Sequence, residues 1–222
     1  EIAQCLVGSE MCIRDSSYNE EAGTVNLHLY KEPRFYASVG YDRGTYEVDG
    51  KEIILYLRGD ELHGSTLKET DEYQSCTGYL CQKWIPKAST YNATSNSFSY
   101  YYYAYPYLRL PELYLSYAEA DFEYNGSLSA QSIEYINRVR ERCGLPTFQD
   151  SWALAGGIPT GQKLRKVLHQ ERSIEFLFEG RRFHDLRRWK EAFEVMNKQP
   201  RSWNRDGKTA EEFYRVIEAN QG

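Results

Sequence analysis

The sequence lacks the segments that carry a chain into or across a membrane. It has no run of about 18 consecutive apolar residues, so we expect no membrane-spanning helix. Its first residues contain no basic region followed by an apolar core and a small-residue cleavage site, which argues against a signal peptide within this chain. A lipoprotein signal places a small residue before the modified cysteine, whereas Cys5 follows Gln4 and Cys12 follows Met11. We therefore expect no targeting segment and no lipid attachment site among these residues.

Motifs for binding nucleic acid, metals and cofactors are also missing. The 32 acidic residues outnumber the 27 Lys and Arg, which gives a net charge of −5, whereas nucleic-acid binding needs a basic surface. The five cysteines form no paired C-x-x-C units, and no H-E-x-x-H, Gly-rich phosphate loop or G-x-S-x-G elbow occurs. We predict no metal, no cofactor and no nucleic-acid partner. Cys76 and Cys81 either close a small disulfide loop or remain two thiols, and we weigh the two alternatives equally.

Aromatic residues, by contrast, are abundant, at 15% of the chain with 20 tyrosines. Such an excess is typical of an exported protein with polar ligand or partner surfaces. The segment 91–107 ends in the string FSYYYYAYPY. Stacked tyrosines would offer a platform for sugar rings. The alternative is a long connection whose rings are buried against helices, and we favour it because buried aromatic packing is the commoner use.

Two carboxylates occupy the apolar face of a predicted helix over 162–179. Glu171 and Glu175 fall on the same side as Leu164, Leu168 and Phe178. A carboxylate removed from water is costly unless it is paired, so this face requires cations from elsewhere in the fold. A pair of carboxylates could also serve a glycosidase as acid and base, but ion pairing explains this pair better.

Arg140 provides the expected cation. It lies among Ile133, Ile136 and Asn137 on the inward face of a second predicted helix, over 129–142. We therefore predict a buried ion pair between Arg140 and either Glu171 or Glu175.

The helices predicted after residue 106 form antiparallel hairpins. The helix over 110–124 ends at Asn125-Gly126, and Ser129 caps the next one after a short turn. The first helix is apolar on two faces, so we expect it to lie between two neighbours. One face carries Leu113, Tyr117, Ala120 and Tyr124, and the other carries Leu115, Ala118 and Phe122. Beyond Gly180, a shorter amphipathic segment carries Phe183, Leu186, Trp189 and Phe193 on one side.

These patterns predict a mainly α fold, an α-solenoid of tetratricopeptide-like hairpins with an irregular, loop-rich N-terminal part that contains short strands. Residues 1–22 look like a translated sequencing-adapter segment, and we exclude them from the fold. The domain then covers 23–222. Its loop-rich part, 23–105, contains strand-like runs over 25–30 and 53–57, and its helical part is 106–222.

Five strings occur in order between residues 32 and 189: EPRFYASVGY, GYLCQKWIPK, YLRLPELYLSYAEADFEYNG, INRVRERCGLP and ERSIEFLFEGRRFHDLRRW. Together they resemble the SusD/RagB family of outer-membrane nutrient-binding lipoproteins. The resemblance implies a SusD-like helical fold and a non-enzymatic protein on the surface of a Bacteroidetes-type bacterium. It also implies a SusC-like TonB-dependent transporter as partner and an oligosaccharide, or sometimes a peptide, as the nutrient that is captured for import.

The chain departs from the family pattern because it lacks the lipobox cysteine, the N-terminal helices and the C-terminal tail. It is therefore expected to be a fragment of a lipid-anchored, exported protein. The matching strings are mostly scaffold in this family, so no binding residue transfers. We predict ligand binding by the loop aromatics Trp84, Tyr91 and Trp152, with Trp203 a similar residue beyond the matched strings. A solenoid scaffold that binds a protein partner without sugar, and a glycoside hydrolase, are the alternative functions.

Overall fold

The computed structural model describes residues 17–61, 77–92, 94–95, 97–153 and 155–218. These residues divide into two compact units. The helical unit comprises 32–34 and 104–182, and the mixed unit comprises 17–31, 35–103 and 183–218 within the described ranges.

The described residues form eight α-helices and ten short strands. The helices are α1 Pro33–Ser38, α2 Leu110–Asn125, α3 Ala130–Glu141, α4 Phe148–Ala153, α5 Gly161–Glu175, α6 Arg181–Arg188, α7 Ala192–Met196 and α8 Ala210–Phe213. The strands are β1 Tyr18–Asn19, β2 Thr24–Val25, β3 Val39–Gly40, β4 Thr45–Val48, β5 Lys51–Ile54, β6 Leu80–Cys81, β7 Thr90–Asn92, β8 Ser97–Ser99, β9 Arg201–Trp203 and β10 Val216–Glu218. The strands pair antiparallel as β1–β2, β3–β6, β4–β5, β7–β8 and β9–β10. The prediction of a mainly α fold with short strands is confirmed.

The hairpin of α2 and α3 is capped as predicted. Gly126 adopts φ +73° after α2, and its N–H donates to the carbonyl of Phe122 at 2.8 Å. The hydroxyl of Ser129 accepts from the N–H of Ser132 at 3.2 Å and caps α3. The Asp121 carboxylate accepts from the Ser129 N–H at 2.8 Å and from the Ser132 hydroxyl, so the end of α2 is tied to the start of α3.

A single apolar core holds the helical unit together. Its buried members are Leu115, Ala118, Phe122, Ile136, Val139, Phe148, Leu164, Leu168 and Phe176. Only one face of α2 contributes to this core, because Leu113, Tyr117 and Tyr124 on the other face are exposed. Helix α2 does have two neighbouring helices, α3 and α5, although its second apolar face is not covered as expected.

The predicted end of α5 is also wrong. The helix stops at Glu175 rather than at Glu179-Gly180. Phe176 enters the core, and Phe178, which was expected on the apolar face, adopts φ +63° and is exposed. A residue with positive φ cannot continue a right-handed helix, so the chain turns at this point.

The segment after Gly180 does not form one apolar face. Helix α6 ends at Arg188, Lys190 adopts φ +61°, and α7 begins at Ala192. Leu186 is consequently buried, while Phe183 and Phe193 are exposed. The break at Lys190 separates residues that an uninterrupted helix would have aligned.

The mixed unit has its own core, composed of Val25, Leu55, Leu57, Trp203, Phe213 and Tyr214. The predicted strand over 25–30 is instead β2 followed by a 3₁₀ turn, Asn26–His28, and the predicted strand over 53–57 overlaps β5 only at its start. Of the segment excluded at the N-terminus, 1–16 lie outside the described residues, while Tyr18 pairs with Val25 in the β1–β2 ladder. Residues 17–22 are therefore part of the described fold.

The two cysteines for which a disulfide was considered are Cys76 and Cys81. Cys81 is exposed at the end of β6, and Cys76 lies outside the described residues.

In the part of the chain that the structure describes, no helix is both long enough and apolar enough to cross a bilayer.

Candidate functional site

Four exposed tyrosines of the mixed unit follow one another directly after β8. Tyr100, Tyr101, Tyr102 and Tyr103, which we call the tyrosine segment, are 81%, 58%, 92% and 37% exposed. Exposure alternates along the four residues, as it does where successive side chains of an extended chain point to opposite sides. The rings of Tyr100 and Tyr102 are thus the ones most open to solvent.

Backbone and side-chain hydrogen bonds fix the other two tyrosines. The Tyr101 N–H donates to the hydroxyl of Ser89, a fully buried residue, at 3.2 Å. The Tyr103 hydroxyl donates to the backbone carbonyl of Trp84 at 3.0 Å. The segment is therefore held to the unit through Tyr101 and Tyr103. Because the backbone is held at Tyr101 and Tyr103, the exposed rings of Tyr100 and Tyr102 have fixed positions on the surface of the mixed unit.

This exposure contradicts the interpretation favoured from the sequence, in which these rings were expected to be buried against helices. The residues of the segment carry no regular secondary structure, and the rings of Tyr100 and Tyr102 remain largely in water. The other interpretation, an aromatic platform, is the one compatible with the observed exposure.

The sequence-predicted aromatics divide between the two units. Trp84 belongs to the mixed unit, is half-buried and receives the Tyr103 hydrogen bond. Tyr91 belongs to the same unit and lies in β7, where its backbone pairs with Phe98 of β8. Trp152 belongs to the helical unit. It lies within α4 rather than in the expected loop. Its ring packs against the apolar core, and the Lys163 ammonium is 5.6 Å from the ring centroid.

Trp203 differs from these three. It is a buried member of the core of the mixed unit, and its ring lies edge-on to the ring of Tyr214, with the centroids 5.3 Å apart. A ring in that position has no open face to offer a ligand.

The predicted ion-pair residues lie together in the helical unit. Arg140 Nη1 is 2.9 Å from Glu171 Oε2, and the side chains are 12% and 7% exposed. Arg140 also donates to the Pro146 carbonyl at 3.0 Å and to the Ser151 hydroxyl at 2.6 Å. Glu171 has a second cation, because Arg34 Nη1 lies 2.9 Å from its Oε1.

Glu175 is paired with arginines other than Arg140. Its carboxylate is 2.9 Å from Arg109, 2.7 Å from Arg142 and 3.4 Å from Arg34. With a side chain only 1% exposed, it depends on these charged hydrogen bonds to offset the loss of its hydration.

Arg34 links the two halves of the network. It bonds Glu32 through Nε at 2.7 Å and lies beside both Glu171 and Glu175. Burial on its own lowers the pKa of the Arg34 guanidinium, but the charges and hydrogen bonds of these three carboxylates outweigh it. The pKa of Arg34 therefore lies above its usual range, and the guanidinium stays charged inside the unit.

Sequence reasoning missed Arg34 and Arg109 as members of this network. One signal was available, since two carboxylates within one apolar stripe need more than a single arginine. The strings PRF and LRL, which contain Arg34 and Arg109, offer no periodic pattern that marks either residue as buried. Arg109 also bonds Glu179, through Nε at 3.0 Å, so it spans the end of α5.

This network is unsuited to acid–base catalysis. Glu171 and Glu175 are both buried and enclosed by guanidinium groups, which leave little surface for a substrate. Among the residues that the structure describes, no group of three or more His, Cys, Asp or Glu side chains is arranged to hold a metal ion. The tyrosine segment, by contrast, is an exposed surface with a chemistry suited to sugars. Aromatic faces pack on the apolar C–H faces of sugar rings, and phenol hydroxyls can both donate to and accept from sugar hydroxyls.

Comparison with known proteins identifies relatives of this chain. A model of the SusD family matches residues 11–221. Among solved structures, the protein BT4246 is 27% identical with a TM-score of 0.75, and the alignment covers 93% of this chain and 34% of BT4246. A SusD-like protein from Bacteroides fragilis, BF3747, is 25% identical with a TM-score of 0.56, and the alignment covers 88% of this chain and 38% of that protein.

A third relative is similar in fold alone. It is a SusD-like carbohydrate binding protein from Bacteroides fragilis, BF0978, which is 24% identical with a TM-score of 0.54; the alignment covers 86% of this chain and 37% of that protein. No curated protein matches the chain. The chain therefore spans about a third of the length of the solved relatives that it matches.

Proposed function

The chain belongs to the SusD family, and from this premise we propose that it is a carbohydrate-binding component of a nutrient uptake system. In this proposal the protein captures an oligosaccharide at the outer surface of the cell, binds it without cleaving it, and passes it to a SusC-like TonB-dependent transporter. In the same proposal a lipid anchor attaches the protein to the outer membrane.

The observation that carries the proposal is the exposure of the tyrosine segment in a member of this family. Tyr100 and Tyr102 are 81% and 92% exposed, although a tyrosine ring gains much by burial. Their backbone is held by neighbouring hydrogen bonds, so little conformational entropy is lost when a ligand stacks on them. A relative of similar fold is described as carbohydrate binding, which supports the same ligand class.

Affinity electrophoresis tests the proposal directly. The 222-residue chain is run in native gels that contain amylopectin, xyloglucan, galactomannan or polygalacturonate. We expect retardation by at least one of them. Tyr100→Ala and Tyr102→Ala should each weaken that binding about tenfold, which corresponds to about 1.4 kcal/mol.

Tyr124→Ala is the matched control, because Tyr124 is 90% exposed but lies on α2 of the helical unit. It should leave the retardation unchanged. If the Tyr100→Ala and Tyr102→Ala variants bound the polysaccharide as tightly as the unaltered chain does, the proposed site would be refuted. Release of reducing ends from the retarding polysaccharide would refute binding without cleavage.

The exposed face of α2 favours a second candidate function, a solenoid scaffold that binds a protein partner. The exposed apolar residues of this face alternate in spacing between three and four: Leu110, Leu113, Tyr117, Ala120 and Tyr124. That spacing forms a seam for a second helix.

The charges beside this seam are already paired within the helical unit. Glu112 is bonded by Arg181 at 2.9 Å, and Glu123 by Arg165 at 2.6 Å. A partner helix would then be held by apolar burial and would be insensitive to salt. A chain that no polysaccharide retards, and that releases a bound protein partner on Leu113→Glu but not at raised salt, would favour this second function.

A further inference from the structure

Tyr30 combines full exposure with a strained backbone. Its side chain is 99% exposed, and its φ is +54°. The left-handed region is accessible to glycine without cost, whereas a bulky aromatic residue there is a true outlier. Packing of the ring does not offset this backbone strain, because nearly all of the ring remains in water.

The backbone on both sides of Tyr30 is fixed. The Tyr36 hydroxyl donates to the carbonyl of His28 at 2.9 Å and accepts from the N–H of Lys31 at 3.0 Å. The Leu29 N–H donates to the carbonyl of Asn26 at 3.0 Å. A single hydroxyl thus bridges the residues that flank Leu29 and Tyr30, and holds the turn in its left-handed conformation.

His28 fixes this turn to the interior of the mixed unit. The imidazole is buried, with Nδ1 2.7 Å from the Thr24 hydroxyl and Nε2 2.9 Å from the Tyr79 hydroxyl. Burial lowers the pKa of His28 to about 3, and the charge of Lys31 adds to the shift, so the ring is neutral at physiological pH. Tyr30 therefore lies at the tip of a rigid turn rather than of a mobile loop.

Strain of this kind persists where the surrounding structure imposes it, and it concentrates at ligand-binding positions. We propose that Tyr30 is a second stacking residue for carbohydrate, which offers an open ring face to a pyranose of the bound glycan. The inference rests on the proposed function and adds a residue to it, outside the tyrosine segment.

A carbohydrate suits this position better than a protein surface. Aromatic hot spots of protein interfaces lie in packed pockets, surrounded by contacts that exclude water. Tyr30 has no such surround: it is followed by Lys31, and Asn26 at the start of the turn is exposed. A single rigid ring among polar groups matches a sugar ring, which presents an apolar face bordered by hydroxyls.

Substitution of Tyr30 in the 222-residue chain separates a binding role from a structural one. We expect Tyr30→Gly to weaken binding about tenfold to whichever of amylopectin, xyloglucan, galactomannan or polygalacturonate retards the unaltered chain. The same variant should have an unchanged or higher Tm, because glycine adopts this φ without strain. Tyr30→Phe keeps the ring and should bind within about twofold of the unaltered chain, and Tyr124→Ala is again the matched exposed control.

Each other outcome contradicts a definite part of the argument. Unchanged affinity of Tyr30→Gly would overturn the inference while the proposed function stood. A lower Tm together with lower affinity would make Tyr30 a structural residue and would also overturn it. If none of the four polysaccharides retarded the unaltered chain, the proposed function would fail, and the role of Tyr30 with it.

Discussion

The ion pair of Arg140 and Glu171 gives the sharpest energetic prediction, because its two members are unequally supported. Glu171 has two arginines, at 2.9 Å each, whereas Arg140 contacts one carboxylate, a backbone carbonyl and a hydroxyl in the described structure. Removing the carboxylate therefore leaves Arg140, only 12% exposed, without a counter-charge. Removing Arg140 leaves Glu171 still paired with Arg34.

The expected costs follow from this difference. Breaking a buried pair by removing one member costs about 3 to 5 kcal/mol. We expect Glu171→Leu to lie at the lower end, about 3 kcal/mol, because Arg140 keeps its bonds to Pro146 and Ser151. Arg140→Met should cost about 1.5 kcal/mol, the value of one charged hydrogen bond.

The double variant should cost about 2 kcal/mol, since it leaves no unpaired charge at Arg140. The coupling, the difference between the double variant and the sum of the singles, would then be about 2.5 kcal/mol, within the range found for contacting residues. Urea unfolding followed by far-UV circular dichroism measures all four members of the cycle.

The same cycle with Glu175 provides the internal control. Glu175 bonds Arg34, Arg109 and Arg142, and none of its contacts that the structure describes is with Arg140. Arg140→Met and Glu175→Leu should therefore add to within about 0.5 kcal/mol. An additive cycle for Arg140 and Glu171 would refute the reasoning. A larger penalty for Arg140→Met than for Glu171→Leu would refute the asymmetry.

Three further predictions concern other parts of the fold. Phe122→Ala should cost about 3 to 5 kcal/mol because Phe122 fills the helical core, whereas Tyr124→Ala on the same helix should stay within about 0.5 kcal/mol; similar costs would contradict the one-sided burial of α2. The pKa of His28 is lowered to about 3 by burial, so the unfolded chain binds the extra proton below about pH 6.5. The unfolding free energy should consequently decrease as pH falls from about 6.5 to 3, by up to about 1.4 kcal/mol per pH unit, and a His28→Asn variant that keeps this slope would contradict the assignment. Thr209 and Glu212 form a capping box at α8, so Thr209→Ala should lower the free energy of unfolding by about 1 kcal/mol. An unshifted urea midpoint would contradict that role.

The sequence predicted the features that depend on neighbours along the chain. The stop at Gly126 and the cap at Ser129 follow from residues within one turn of the helix ends, and the structure has both. The need for a cation near Glu171 likewise follows from its place in an apolar stripe. Periodicity failed where the backbone left the helix, as at Phe178 and Lys190, because a single residue with positive φ interrupts any pattern counted through it.

The proposed binding surface was predicted less well. Trp84 was singled out and lies beside the tyrosine segment, but the segment itself was expected to be buried. Tyrosine is equally suited to a core and to a surface, so its count alone does not distinguish the two. Tyr30 carried no sequence signal, because its proposed role rests on a φ angle and on full exposure.

What the sequence alone determined is the local framework: mainly helical hairpins, their caps, and carboxylates that must be neutralised inside them. The tertiary structure decided which cations neutralise them. Arg34 reaches Glu175 across 141 positions of the chain, and no local pattern marks such a partner. It also decided which apolar faces are covered, because a helix face is buried only where a distant segment packs on it. Local geometry depends on the spacing of residues that are close in the sequence. Ion-pair partners and exposure, in contrast, depend on residues that come together only once the chain is folded.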